Sequence, residues 1–323
     1  MIVYTPPSAA SHIPVIDLAG SFDDPEALRR VGWEIHKACR ETGFFYISGH
    51  GVPQALMDNQ IEMTRRFFAQ PAEAKRAVAI AHSPCRRGYE EGLQILDPGS
   101  PPDLKESFML GRELGPEHPH VQAGVPNYGP NLWPAGLPGF REQMEAYEAE
   151  IIRIGTHLMG CLAASLDLDP GYFADGLQDP QCGMRLLHYP PQPADTAFNR
   201  LGAGAHSDWG SITILLQDDM AGLEVRNADD EWILATPIRG TFVINIGQMM
   251  ERFSAGLYRA NLHRVRNNAA DRARHSVAVF FELDHFYKMG RAPTVPANDA
   301  FDALFDLTVG EHIEQMARAS YGG

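Results

Sequence analysis

The sequence predicts a mainly β protein with flanking helices, organised as a sandwich or jelly roll. Three observations carry that reading. Beyond residue 183, short β-branched runs alternate with turn residues. Before it, apolar residues recur at helical spacing. Between the two helical stretches lies a proline-punctuated segment too rich in large apolar side chains to be a linker.

Taken in order, Leu28, Val31, Ile35, Ala38 and Cys39 recur at three- to four-residue steps after Asp23-Asp24-Pro25, with Gly43 just beyond. That spacing predicts an amphipathic helix over 24–41. Phe140, Met144, Tyr147, Ile151, Ile154 and Leu158 predict a longer helix over 139–166 with one core-facing stripe. Residues 115–139 hold prolines from Pro116 to Pro138 that interrupt any ladder, yet Tyr128, Leu132, Trp133 and Phe140 demand burial, so a loop packed on the core is expected. Strands follow at 184–189, 211–217, 222–226, 231–235, 241–246 and 276–283, and Asn227-Ala228-Asp229-Asp230 suits a hairpin turn. The chain therefore reads as one unit over 1–323. A mostly helical part, about 1–180, packs on a core of about 183–285, and 286–323 forms a C-terminal segment.

With 27 Lys+Arg against 41 Asp+Glu the net charge is −14, while 44% hydrophobic and 21% charged residues describe an ordinary globular chain. No basic stripe exists to meet phosphate backbones or anionic lipid, so neither nucleic acid nor membrane is an expected partner. Met1-Ile2-Val3-Tyr4-Thr5-Pro6-Pro7 has no basic-then-apolar leader pattern, and the simplest location is cytoplasmic. Cys39, Cys85, Cys161 and Cys182 are scattered with no C-x-x-C pair, which predicts free thiols. Oligomeric state is left open.

The chemistry concentrates in three places. In Ala205-His206-Ser207-Asp208, extended backbone projects His206 and Asp208 to one side, so an imidazole and a carboxylate converge. His263, in Asn261-Leu262-His263-Arg264-Val265, is a third candidate. Two imidazoles and one carboxylate on one face of an octahedron leave three positions open, as non-haem Fe(II) oxygenases require. The same donors accept Zn²⁺ with a single open water position, and His263 taken alone reads equally as a packed core histidine. Arg274-His275-Ser276 opens the last strand and sets a guanidinium beside a hydroxyl, a pair suited to a carboxylate. An oxygenase that uses a dicarboxylic oxo acid needs such an anchor; a hydrolase does not.

With these residues in place the chain resembles the isopenicillin N synthase-like branch of the 2-oxoglutarate and Fe(II)-dependent dioxygenases. The resemblance runs over most of the sequence through Pro14-Val15-Ile16-Asp17-Leu18, Gly43-Phe44-Phe45-Tyr46-Ile47, Gly49-His50-Gly51-Val52-Pro53, Arg87-Gly88-Tyr89, Lys105-Glu106-Ser107-Phe108, Asn131-Leu132-Trp133-Pro134 and Leu187-His188-Tyr189-Pro190-Pro191. It implies a double-stranded β-helix core, the cupin-like form of the jelly roll. It further implies Fe(II) on His206, Asp208 and His263, 2-oxoglutarate held by Arg274 and Ser276 with help from Tyr189, and O₂ as oxidant. The product side would be succinate, CO₂ and an oxidised, most simply hydroxylated, organic molecule.

Alternatives are an oxidase or cyclase working without 2-oxoglutarate, and a metal cupin or binding protein without oxygenase activity. The chain departs from the family at Gly247-Gln248, where Gly-Asp is usual, at Ser254-Ala255-Gly256, and at Glu282-Leu283-Asp284-His285. Gln248 bears on the hydrogen bonds that orient the ligands rather than on the ligands themselves. For the substrate, the candidate contacts are Arg86, Arg87, Arg185, Leu187 and Trp209; the arginines suggest a small or medium molecule with an anionic group.

Overall fold

The computed structural model describes residues 12–92, 103–192, 201–266, 271–302 and 307–321; the leader region 1–7 lies outside them. In chain order the elements are β1 (Val15–Asp17), α1 (Pro25–Glu41), β2 (Phe44–Ser48), α2 (Gln54–Phe68), α3 (Ala72–Arg76), β3 (Gly88–Glu90), β4 (Glu106–Gly111), α4 (Pro119–Gln122) and α5 (Phe140–Ser165). Then come β5 (Gln181–Tyr189), β6 (Ala203–His206), β7 (Ile212–Gln217), β8 (Leu223–Arg226), β9 (Trp232–Leu234), β10 (Phe242–Ile246), α6 (Gln248–Phe253), β11 (His263–Val265), β12 (Arg274–Glu282), α7 (Asp299–Asp302) and α8 (Val309–Tyr321).

Two sheets form. The larger has eight strands in the order β1-β2-β10-β7-β12-β5-β4-β3, and the smaller has four, β6-β11-β8-β9. All pairings between named strands are antiparallel except β1 with β2. Alternation along each strand sorts side chains between two environments. Met184, Leu186, Ile212, Ile214, Val277, Val279, Phe281, Ile244 and Ile246 join the apolar core shared with α1, α2 and α5. Their neighbours Leu187, Tyr189 and Ala278 turn to the other face, where they pack with Ala203 and Val265 of the smaller sheet.

The two long helices form where their spacing predicts. Asp24 caps α1 by accepting from the Glu26 N–H at 2.9 Å, Pro25 opens the first turn, and Gly43 follows in the left-handed region at φ +69°. Segment 115–139 packs as expected, with Tyr128 buried beside Leu114 and Val125, and Leu132 and Trp133 against the main core. The hairpin at 227–230 joins β8 to β9. One feature goes beyond the expectation. The first 180 residues are mostly helical among their regular elements, but they do not only pack outside the core, because β1, β2, β3 and β4 supply half of the larger sheet. Short strands such as Phe44-Phe45-Tyr46-Ile47 are buried on both faces, so they lack the alternation that would have marked them. No helix among the described residues is long and apolar enough to cross a membrane, and all four cysteines are free and buried.

Candidate metal centre and pocket

His206 ends β6 and His263 begins β11, and the two residues face each other directly in the antiparallel register, with ring centroids 4.3 Å apart. Asp208 lies two residues past the end of β6. Its Oδ1 is 4.0 Å from His206 Nε2 and 3.9 Å from His263 Nε2, and the donor atoms of all three lie within 4.8 Å of one another. The convergence survives although Asp208 belongs to the turn and not to the strand.

The donor set fits a divalent ion. The Nδ1–H of His206 donates to the Gly204 carbonyl at 2.8 Å, which leaves the Nε2 lone pair facing the cluster. Burial, and then the neighbouring His263 imidazole, holds the His206 pKa well below the usual imidazole range, so the ring is neutral and able to ligate. Burial works against the Asp208 charge. The two imidazoles and hydrogen bonds from Thr213 and Asn245 outweigh it, and the carboxyl stays below its ordinary value. Thr213 Oγ1 donates to Asp208 Oδ2 at 2.5 Å and Asn245 Nδ2 donates to the same oxygen at 2.7 Å. Oδ1 is left toward the histidines.

The turn carrying Asp208 is strapped on three sides. The Gln248 and Met249 N–H groups of α6 donate to the Asp208 and Gly210 carbonyls at 2.9 and 3.1 Å. His312 of α8 bonds the Trp209 carbonyl at 2.8 Å, and the Ser211 N–H donates to Glu282 at the end of β12. Gln248, the departure from the family pattern, also donates to Ser207 Oγ at 3.0 Å.

Arg274 opens β12 and is 1% exposed. Its Nε donates to the Met220 carbonyl at 3.2 Å, Nη1 to Ser276 Oγ at 3.3 Å and Nη2 to Gln217 Oε1 at 2.8 Å, while the guanidinium carbon sits 5.0 Å from the Tyr189 ring centroid. Among the described residues no carboxylate lies within ion-pair distance of it. A buried cation whose hydrogen-bond partners are all neutral, with the Asp218 carboxylate acting on it only from beyond ion-pair distance, suits an anion from outside the chain.

The substrate candidates separate. Arg185 and Leu187 share the inner face of β5 with Tyr189. Arg185 Nη2 is 3.0 Å from Glu90 and 3.1 Å from Ser107, while its Nε is buried without a hydrogen-bond partner. Beside it on the same wall Lys105 pairs with Asp103 at 2.9 Å, and both are buried. Trp209 is half-buried on the metal-bearing turn. Arg87 is placed differently from Arg185. It is 6% exposed and its guanidinium donates to the Leu110 and Asn127 carbonyls at 2.8 and 2.5 Å, near Glu148 of α5 and Cys182. Its Nη1 and Nη2 are thus spent on the fold, on the helix side of the sheet, and only its buried Nε lacks a hydrogen-bond partner. Arg86 is exposed at a turn with φ +58°.

Sequence reading missed Thr213, Asn245, Glu282, Gln217, Lys105, Asp103 and His312. Asn245 carried a signal: it is the lone polar residue in Phe242-Val243-Ile244-Asn245-Ile246. His312 carried none, since only the fold brings α8 to the metal turn.

Comparison with known proteins agrees with this geometry. The N-terminal family of non-haem dioxygenases in morphine synthesis matches residues 13–136, and the 2OG-Fe(II) oxygenase superfamily matches residues 180–283. A 2-oxoglutarate-dependent dioxygenase, citB of Monascus ruber, is 37% identical over 96% of this chain and 96% of its own. Homoarginine-6-hydroxylase of Glycine max is 36% identical over 85% and 86%. The crystal structure of a full-length Neurospora crassa protein in complex with alpha-KG (2-oxoglutarate) superposes with a TM-score of 0.82 at 27% identity, covering 94% of this chain and 95% of that one; a further structure of the same protein holds thymine as well. The chain belongs to the 2OG-Fe(II) oxygenase superfamily. It is an Fe(II)- and 2-oxoglutarate-dependent dioxygenase with a jelly-roll core and a His206-Asp208-His263 iron site.

Proposed function

We propose that the protein, a member of the isopenicillin N synthase-like branch, hydroxylates a small to medium polar organic molecule, and that the whole chain 1–323 forms one catalytic unit. The observation that carries the cosubstrate assignment is Arg274, a buried guanidinium with neutral hydrogen-bond partners and no carboxylate within ion-pair distance among the described residues. In this reading Arg274 and Ser276 grip the distal carboxylate of 2-oxoglutarate, and Tyr189 flanks it. His206, Asp208 and His263 hold the iron on one face and leave the other for the reactants. Bound Fe(II), 2-oxoglutarate and O₂ together supply the oxidising power, with succinate and CO₂ as by-products. The protein's own work is to fix the Asp208 carboxylate through Thr213 and Asn245, keep the His206 imidazole neutral, and orient the substrate against the β5 wall.

Arg185 is the arginine best supported as the substrate anchor. Glu90 already matches its charge, so an anionic group on the substrate meets the free Nε edge and competes with Glu90. Leu187 and Trp209 complete the wall. The relatives that act on homoarginine or bind thymine support a small molecule, and the free buried thiols support a reducing, cytoplasmic setting. The test is succinate release with Fe(II) and 2-oxoglutarate over a panel of amino acids, organic acids, pyrimidines and neutral aromatics. Polar members with an anionic group should stimulate turnover most; a clear preference for neutral aromatics would remove Arg185 as an anion anchor.

A further inference from the structure

A second cluster of ligating side chains lies apart from the iron site. His118 caps α4, His120 sits within it, and Asp179 closely precedes β5. Asp179 Oδ2 is 3.3 Å from His118 Nε2 and 3.2 Å from His120 Nδ1, and the three donor atoms lie within 4.8 Å of one another. Two ligands bonded at about 2.1 Å to one ion at tetrahedral to right angles stand about 3.0–3.4 Å apart. The observed spacings fall in that range.

Two further observations point to a ligand. His120 is largely buried, yet neither ring nitrogen makes a hydrogen bond of acceptable geometry, although carboxylate oxygens are near both. The surroundings are also arranged as outer support for a metal. His120 Nε2 is 2.7 Å from Asp284 Oδ2, the carboxylate–histidine relation that orients metal-bound imidazoles, and Arg112 takes Asp179 Oδ1 and leaves Oδ2 for the ion. Tyr128 stacks on the His120 ring at 4.7 Å and fixes its plane.

We propose that His118 Nε2, His120 Nδ1 and Asp179 Oδ2 form a second divalent transition-metal site, of the kind Zn²⁺ favours, with water completing the tetrahedron. The site ties the 115–128 loop to the start of β5 and to Asp284 just past the end of β12. Ligation at His118 Nε2 moves that ring's proton to Nδ1, so the 3.3 Å cap bond from the His120 N–H opens when the ion binds. The second site stands whether or not the oxygenase reading holds.

The test uses the full chain with the iron site disabled by Asp208→Ala, stripped of metal and dialysed against Zn²⁺. One Zn²⁺ per chain is expected. Adding His118→Gln should weaken that binding about tenfold or more, and adding Asp284→Asn should weaken it about 10–100-fold through loss of the outer support. Circular dichroism establishes that each variant is folded. An Asp208→Ala chain that takes up no Zn²⁺ overturns the proposal. So does retention of the ion at unchanged affinity in folded His118→Gln, which would leave His120 as a bridge between two aspartates only.

Discussion

Thr213→Val is the sharpest probe of how the iron site is held. The substitution is nearly isosteric and removes one hydroxyl, so it leaves no cavity and affects only the 2.5 Å bond to Asp208 Oδ2. Asn245, which sits directly opposite Thr213 in the β7–β10 register, still donates to the same oxygen at 2.7 Å. A hydrogen bond to a charged group contributes about 1.5–3 kcal/mol. The bond exists with and without the ion, so only the part that orients the carboxylate appears in metal affinity. Outer-shell losses of this kind cost about 10–100-fold. Anaerobic competition titration with Fe(II) should therefore show affinity weakened in that range, and Thr213→Val with Asn245→Ala should lose more than either change alone. Affinity within about twofold of the parent for a folded Thr213→Val chain would refute the idea that this pair orients Asp208.

Three more outcomes are expected. Arg274→Gln should raise the 2-oxoglutarate KM about a hundredfold or more, because a desolvated charge pair is lost, while leaving Fe(II) affinity nearly unchanged; steady-state kinetics with succinate readout checks this. Glu282, fully buried beside Ser211, has its pKa pushed up to about 8 by burial, so the folded state holds a proton that the unfolded chain has released above about 4.5. Its contribution to stability should fall as pH rises from about 4.5 to 8, by on the order of 4 kcal/mol at full titration, and Glu282→Gln should flatten that slope in urea melts across the window. Gly155→Ala on α5 sets a Cβ 2.7 Å from the Phe281 ring of β12. Overpacking of about 1–3 kcal/mol should outweigh the helix-propensity gain of about 1, giving net destabilisation in the same assay.

The local patterns in the sequence were informative where one chemical rule governs a stretch. The stripe Phe140 to Leu158 and the Asp24-Pro25 start mark helices because both are set by near neighbours. His206, Asp208 and His263 were legible as a donor set, as was the shared face of Arg274 and Ser276. What stayed hidden depends on pairing between remote segments. β2 and β4 are buried by strands and helices far along the chain, so no periodicity announces them. Arg87 looked like a ligand-binding arginine because sequence shows charge but not burial; its two carbonyl partners come from residues 23 and 40 positions away. Glu282 reads as an ordinary acidic residue until β12 carries it to the Ser211 N–H.

The strand order of the larger sheet bears on how the molecule is assembled. The four strands from the second half, β10-β7-β12-β5, are contiguous, with β1-β2 closing one flank and β4-β3 the other. The region matched by the 2OG-Fe(II) oxygenase superfamily, 180–283, would by itself present two raw lateral edges in β10 and β5, each a template for joining another copy. Expressed alone, that piece should self-associate rather than behave as a minimal enzyme. During synthesis β5, β7, β10 and β12 emerge after the strands that flank them on both sides have already left the ribosome, so the early segments wait to receive them.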